Sequence, residues 1–369
     1  MLYKIIIATV SMASISAILS ILLVIAERYL ANYGECNVTI NDDEEFRTQG
    51  GATLLSTLNS QKIFLPSACG GRGTCGYCKC KVLEGVGPIL PTEEPLLTAE
   101  EMKENIRLSC QIKIKQDIKI EIPEELFNIN EFRTNVAMIR DLTHDIKLVR
   151  FSLIEPNEIN FKAGQYVQLQ TNPYADVKES VSRAYSMSSP NFEKSHVDLM
   201  IRLVPDGICT TWVHEYLQEG DDVRIIGPMG DFYIRESDSE MILVAGGSGM
   251  APMVSLLEDI AHRKIDRKIT YFFGALTRKD LFYLDEMAEF EKKIPGFTFV
   301  PALSEPEPED EWDGETGLIT KPLEEYLQKI DAIKCQGYLC GSPGMINASI
   351  NVMKKYQMKM DQIFYDPFG

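Results

Sequence analysis

The run Cys69-Gly70-Gly71-Arg72-Gly73-Thr74-Cys75-Gly76-Tyr77-Cys78 constrains this chain more than any other stretch. It sets three thiols on one glycine-rich loop with the spacing C-x5-C-x2-C, and Cys110 follows alone in Arg107-Leu108-Ser109-Cys110-Gln111. Three thiolates from one loop and a fourth from a distant strand is the arrangement that holds a [2Fe–2S] cluster. The glycines allow the positive φ angles of so tight a wrap and let backbone N–H groups approach anionic sulfur.

Other uses of these thiols fit less well. A structural zinc site needs a second C-x2-C or a Cys/His pair at short spacing, and Cys110 has no such neighbour. A disulfide pair conflicts with the nucleotide-binding signatures further along, which belong to a reducing compartment. The plant-type first gap is four residues and here it is five. Cys80 lies two beyond Cys78, on the same face of any following strand, and reads as packing.

The 369 residues suffice for two to three domains, each with its own core. A formal net charge of −17 and the absence of any Lys/Arg-rich run exclude nucleic acid as a partner. Nine cysteines without a regular framework suit a reduced protein that carries a metal cluster.

From Ile5 to Ala26 no residue is charged, a length that crosses a bilayer core as a helix. A secretory signal has a shorter apolar core and a cleavage site, whereas Glu27-Arg28-Tyr29 closes this one. Residues 5–26 are therefore expected to be a retained transmembrane helix. Ala13, Ser16, Ala17 and Ser20 form a small-residue face on which a second membrane helix could pack.

Residues 34–123 read as a small mixed-sheet domain. It has strands over Asn37–Ile40, Lys79–Val82, Arg107–Ile114 and Ile118–Ile122, a helix opening at Thr53 and a short acidic helix near Glu100. Pro123–Asn130 reads as a linker. Residues 131–235 carry strands spaced for an antiparallel barrel: Asn135–Leu142, Ile146–Leu153, Tyr166–Leu169, Val197–Val204 and Asp222–Ile226. Between them Arg183-Ala184-Tyr185-Ser186 offers a guanidinium for a pyrophosphate, a ring to lie on a flavin and a hydroxyl for its edge. Gly207, Thr210 and Thr211 open a helix suited to phosphate. Residues 238–369 alternate strand and helix, as a parallel sheet requires. There Met241–Ala245 runs into Gly246-Gly247-Ser248-Gly249-Met250, and Gly337–Leu339 runs into Cys340-Gly341-Ser342-Pro343-Gly344-Met345. Glycines at such turns let amides and a helix N-terminus reach a pyrophosphate. The fold class is thus multidomain, α+β and α/β.

With these motifs in this order, the region from Glu131 to Gly369 resembles the ferredoxin–NADP⁺ reductase superfamily. Joined to an anchor and a plant-type ferredoxin domain, the whole chain is similar to the family of F subunits of sodium-translocating NADH:quinone reductases. Ile89-Leu90-Pro91-Thr92-Glu93, Arg107–Gln111, Arg183–Met187, Phe282-Tyr283 and Ala302–Gly314 carry that resemblance over nearly the full length. The chain departs from it by being short between Tyr166 and Arg183. The resemblance implies that Arg183, Tyr185, Ser186, Gly207, Thr210 and Thr211 hold FAD. Gly246, Gly247, Gly249, Cys340, Gly341 and Met345 would hold NADH, with Cys340 beside the site of hydride transfer and Phe368 over the flavin. Cys69, Cys75, Cys78 and Cys110 would hold the cluster.

No Ser/His/Asp set, paired carboxylates or His-rich site is evident, so the chemistry belongs to cofactors. The expected flow is NADH to FAD to [2Fe–2S], then to membrane-embedded subunits of a quinone reductase complex. The chain would be single-pass in the inner membrane with its soluble domains facing the cytoplasm. A soluble monooxygenase reductase shares the same domain order, and a redox carrier or sensor without catalysis is a further alternative.

Overall fold

The computed structural model describes residues 9, 12–21, 33–123, 126 and 129–367. Two compact units divide at residues 128 and 129. The expected span over residues 5–26 falls in part outside the described residues. Residues 12–21 are helical, and among the described residues no helix is long and apolar enough to cross a membrane. Half of the expected linker, residues 124, 125, 127 and 128, also lies outside them.

The first unit is built on strands β1 (Glu35–Ile40), β2 (Glu44–Gln49), β3 (Lys79–Glu84), β4 (Ile106–Leu108) and β5 (Ile118–Glu121) in the order β2-β1-β5-β3-β4. Period-two alternation turns Val38, Ile40, Ile118 and Ile120 inward, and β1 and β5 pair in parallel. Helix α1 (Leu54–Ser60) starts where the Thr53 hydroxyl accepts from the Ser56 N–H at 3.2 Å. It buries Leu54, Leu55 and Leu58 in the core, each worth about 1.5–3 kcal/mol. A second helix, α2 (Ala99–Lys103), follows a Thr98/Glu101 capping box.

Two expectations are corrected here. The strand predicted over Arg107–Ile114 is only β4, because the chain turns at Ser109–Gln111, where the Gln111 N–H donates to Leu108 O at 2.8 Å. That turn, with the Ser109 N–H on Cys78 O at 2.8 Å, brings Cys110 back to the cysteine loop. Strand β2 was not expected. Its Glu-rich text makes a polar edge with no fully buried face.

The second unit begins with an antiparallel sheet of β6 (Asn130–Asp141), β7 (Ile146–Glu155), β8 (Tyr166–Gln170), β9 (Ser182–Ser186), β10 (His196–Arg202) and β11 (Asp222–Met229). The order is β10-β7-β6-β11-β8-β9, and a bridge between Met187 and Leu199 brings the two ends together as a barrel. Phe132, Phe151, Val167, Leu199 and Ile225 fill its core. The R-x-Y-S run, expected between strands, is itself β9, paired Leu169 with Arg183 and Val167 with Tyr185. Helix α3 (Ile208–Thr211) follows β10.

The rest is a sheet of β12 (Glu240–Gly246), β13 (Ile269–Ala275), β14 (Phe297–Leu303), β15 (Glu315–Thr316), β16 (Cys335–Gly341) and β17 (Ile363–Pro367), with every pairing parallel. Residues of β12 alternate between two cores. Met241, Leu243 and Ala245 pack with α4 (Met250–Arg263) and α5 (Leu284–Lys293). Ile242 and Val244 pack with α6 (Thr320–Leu327) and α7 (Pro343–Lys355). The order β15-β14-β13-β12-β16-β17 reverses direction between β12 and β16. In open α/β sheets a ligand crevice forms at such a reversal, beyond the carboxyl ends of the strands.

Candidate redox site

The four expected thiols gather within the first unit. Cys69 and Cys75 Sγ atoms are 3.4 Å apart, and Cys78 and Cys110 share a side-chain hydrogen bond. Burial alone would push Cys69 up, but the Thr74 and Cys75 N–H groups and the Cys75 thiol bring it down to about 6. Its contact with Cys78 brings Cys110 down to about 7, against burial and helped by Gln111. The same pairing with Cys110, and then burial, drives Cys78 upward, and burial raises Cys75. Four sulfurs, amides aimed at them and a loop of positive-φ glycines (Gly70, Gly71, Gly73 and Gly76) fit an iron–sulfur cluster. Cys80 stays apart, pushed to about 12 by burial beside the Arg107–Glu93 pair.

In the barrel, Tyr185 is half-buried with its hydroxyl on the Cys209 thiol, and burial pushes both up, Cys209 to about 11. Arg183 Nη1 donates to Ser182 O at 2.7 Å. The Thr210 hydroxyl accepts from the Val204 N–H at 3.1 Å and lies 3.2 Å from Gly207 O, so it ties the turn that opens α3. Gly207 is part of that turn, since a Cβ there would sit 2.5 Å from Thr210 Oγ1. Thr211 is half-exposed beside it.

The two glycine turns expected to hold the nucleotide lie at the β12/β16 reversal. Gly246-Gly247-Ser248-Gly249 leaves β12 and enters α4, whose first turn has neither a capping side chain nor an acidic residue. Its N–H groups and dipole suit an anion. A Cβ on Gly249 would lie 2.3 Å from Cys340 O, so only glycine lets this turn meet β16. Met345 closes the floor against Gly246 and Gly341. The six expected nucleotide residues therefore converge.

At the junction of barrel and parallel sheet, Ser186 Oγ donates to Asp366 Oδ2 at 3.2 Å, and Asp366 on β17 sits opposite Cys340 on β16. Burial pushes Asp366 up to about 6, opposed by the Ser186 hydroxyl. Cys340 is fully buried and its thiol is raised well above the usual range by burial and then by Asp366. Phe368 lies outside the described residues.

Three comparisons bear on this geometry. The family description "2Fe-2S iron-sulfur cluster binding domain" fits residues 38–115, "Oxidoreductase FAD-binding domain" fits 133–234 and "Oxidoreductase NAD-binding domain" fits 243–350. The chain is 36% identical to the F subunit of the Na(+)-translocating NADH-quinone reductase of Idiomarina loihiensis, over 95% of this chain and 96% of that one. It is 37% identical to the F subunit of the same enzyme in Klebsiella pneumoniae, over 99% and 100%. The chain belongs to this family of F subunits. Among solved structures, a cytochrome P450 reductase of Amycolatopsis matches with a TM-score of 0.73 and 28% identity, over 90% of this chain and 98% of that one.

As a member of that family the chain binds FAD, NADH and a [2Fe–2S] cluster and transfers electrons from NADH through FAD to the cluster. Its short connection between β8 and β9 is a tight loop bridged by Tyr174 and Val177. Sequence reasoning missed Asp366, Arg202 and Gln111. Arg202, at the end of β10, has Nη1 3.5 Å from where a Gly247 Cβ would lie and is held by Asp145 Oδ2 at 2.6 Å. An arginine closing an apolar strand carries no motif. Only the folded sheet reveals its proximity to the turn. The basic turn Thr277-Arg278-Lys279 is met by acidic text after β14. Lys279 Nζ is 2.9 Å from Glu307, and Arg278 lies 5.9 Å from the Trp312 ring.

Proposed function

We propose that this chain is the NADH-oxidising subunit of a sodium-translocating quinone reductase, handing single electrons to membrane-embedded partner subunits. The observation that carries this reading is the end-to-end identity to the F subunits of Idiomarina and Klebsiella. In it, residues 5–26 anchor the chain as one span in the inner membrane with the remainder facing the cytoplasm. Residues 34–123 form the ferredoxin domain, 131–235 the flavin barrel and 238–369 the nucleotide domain.

Bound FAD supplies the change from two-electron hydride uptake to one-electron release, and the cluster accepts one electron at a time. The protein's share is placement. Cys69, Cys75, Cys78 and Cys110 ligate the cluster. Arg183 neutralises the flavin pyrophosphate, Tyr185 lines the ring and Ser186 reaches its edge, with Gly207, Thr210 and Thr211 shaping the adjoining turn. Gly246, Gly247 and Gly249 receive the NADH pyrophosphate at the N-terminus of α4, flanked by Gly341 and Met345. Cys340 presents an uncharged, dry surface next to the reacting centre, and Asp366 holds Ser186 in place. Phe368 would cover the flavin and give way to nicotinamide.

A second reading, a monooxygenase reductase, is favoured by the likeness to the cytochrome P450 reductase. Purification of the tagged protein from native membranes separates the two. Co-purifying integral-membrane subunits with NADH-driven quinone reduction are expected. A protein recovered alone from the cytosol would contradict the proposal.

A further inference from the structure

The two motifs Ile89–Glu93 and Arg107–Gln111 are separated by residues 94–106 and meet in the fold. Glu93 is fully buried and its carboxylate accepts from the N–H groups of Leu90 and Leu108, each at 3.0 Å, and from Arg107 Nε at 3.0 Å. Arg107 Nη1 in turn donates to Gly87 O at 2.7 Å. The loop that carries Thr92 is thereby fixed beside the strand that leads to Cys110.

Thr92, exposed, donates its hydroxyl to Gln111 Oε1 at 3.0 Å. Gln111 Nε2 then lies 3.5 Å from Cys110 Sγ. The same nitrogen rests on the cysteine loop, since a Cβ built on Gly73 would be 2.4 Å from it. Only glycine, here at φ +75°, admits the amide at that point.

We propose that Gln111 raises the reduction potential of the cluster through an N–H···S hydrogen bond to Cys110, and that Thr92 holds its amide in the donating orientation. The inference rests on Cys110 being a cluster ligand. A ligating thiolate can only accept a hydrogen bond, and the amide has one donating and one accepting end. A hydroxyl on the far side can donate to the oxygen. One orientation of the amide satisfies both neighbours, and the flipped one sets oxygen against sulfur. Hydrogen bonds to cluster sulfurs draw off negative charge and favour the reduced state, which raises the potential. Gln111 is a positioning residue that touches a ligand, with Thr92 acting through it.

The test is a redox titration of the full chain loaded with FAD and cluster, followed by EPR of the reduced cluster. In Gln111→Leu the equilibrium constant for cluster reduction is expected to fall about tenfold, a drop of about 59 mV for one electron, with the flavin potential unchanged. Thr92→Val shifts it in the same direction by less, and Thr92→Ser restores the wild-type value. A Gln111→Leu protein with full iron and sulfide and an unshifted potential overturns the inference. Should Gln111→Leu fail to hold a cluster, Thr92→Val decides. A lowered potential supports the inference, and a wild-type potential overturns it. Cys110→Ala distinguishes the two levels. If it keeps full iron and sulfide, the ligand assignment itself fails, whereas loss of the cluster with an unshifted Gln111→Leu sinks the tuning role alone.

Discussion

Ser186 in the barrel and Asp366 in the last strand of the parallel sheet are joined by a hydrogen bond of 3.2 Å across 180 residues of sequence. The bond ties the proposed flavin edge to the strand that carries Asp366 beside Cys340. It also faces a carboxylate that burial has pushed up to about 6.

Ser186→Ala removes a hydrogen bond to a charged group, worth about 1.5–3 kcal/mol, so flavin reduction by NADH is expected to slow about ten- to a hundredfold. Stopped-flow bleaching of the flavin measures it. Asp366→Asn supplies a pH test. A carboxyl raised in the folded state disfavours folding wherever it is ionised, so Asp366→Asn is expected to raise Tm above about pH 6. The gain shrinks as pH falls toward the unfolded carboxyl pKa of about 3.9. A Tm difference that is constant with pH would remove Asp366 from the account.

Glu93 and Arg107 form a buried ion pair, their side chains 0% and 6% exposed. Burial alone would raise the Glu93 pKa, but Arg107 and the Leu90 and Leu108 amides hold it below the usual range. Glu93→Gln is expected to destabilise the first unit by about 3–5 kcal/mol, because Arg107 is left uncompensated. The wild-type contribution is complete above the unfolded pKa and lost as pH falls through the depressed folded one. Thermal melts of both proteins at neutral and acid pH check both parts, and their stabilities should converge in acid.

NADH is expected to be preferred over NADPH because the basic turn after β13 is already occupied. Lys279 pairs with Glu307, and the Arg278 guanidinium lies 5.9 Å from the Trp312 ring. The Lys279–Glu307 pair is exposed and therefore weak, so Glu307→Gln is expected to raise kcat/KM for NADPH by about fivefold at most. The value for NADH should stay unchanged. Steady-state kinetics with both nucleotides decide it.

Removal of residues 1–30 is expected to release a soluble protein that still oxidises NADH with ferricyanide. Full-length protein that fractionates with the cytosol would contradict the anchor proposed for residues 5–26.

Chemistry that lies in consecutive residues was legible in the sequence. The cysteine spacing, the Gly246–Gly249 turn and the Cys340–Met345 turn each announced themselves, and the described structure gathers the residues of each. Relationships made by distance were not legible. Asp366 and Arg202 are single polar residues at strand ends, and nothing local marks what they face. Gln111 stood inside a noted motif, but its contact with Thr92 requires the Glu93–Arg107 pair to bring two segments together. Strand β9 was missed because Arg183–Ser186 has no apolar alternation, and β4 was drawn too long because Ile112 and Ile114 continue the alternation beyond the turn at Cys110.

The central claim is that electrons entering from NADH reach a cluster held by Cys69, Cys75, Cys78 and Cys110. Anaerobic NADH addition to the purified full-length protein, followed together by flavin absorbance and cluster EPR, tests it most directly. In wild type the flavin should bleach and the signal of a reduced [2Fe–2S] cluster should appear. In Cys110→Ala the flavin should bleach with no such signal, and Cys80→Ala should behave as wild type. A full cluster signal in Cys110→Ala, or a wild-type cluster that NADH leaves oxidised, would contradict the account.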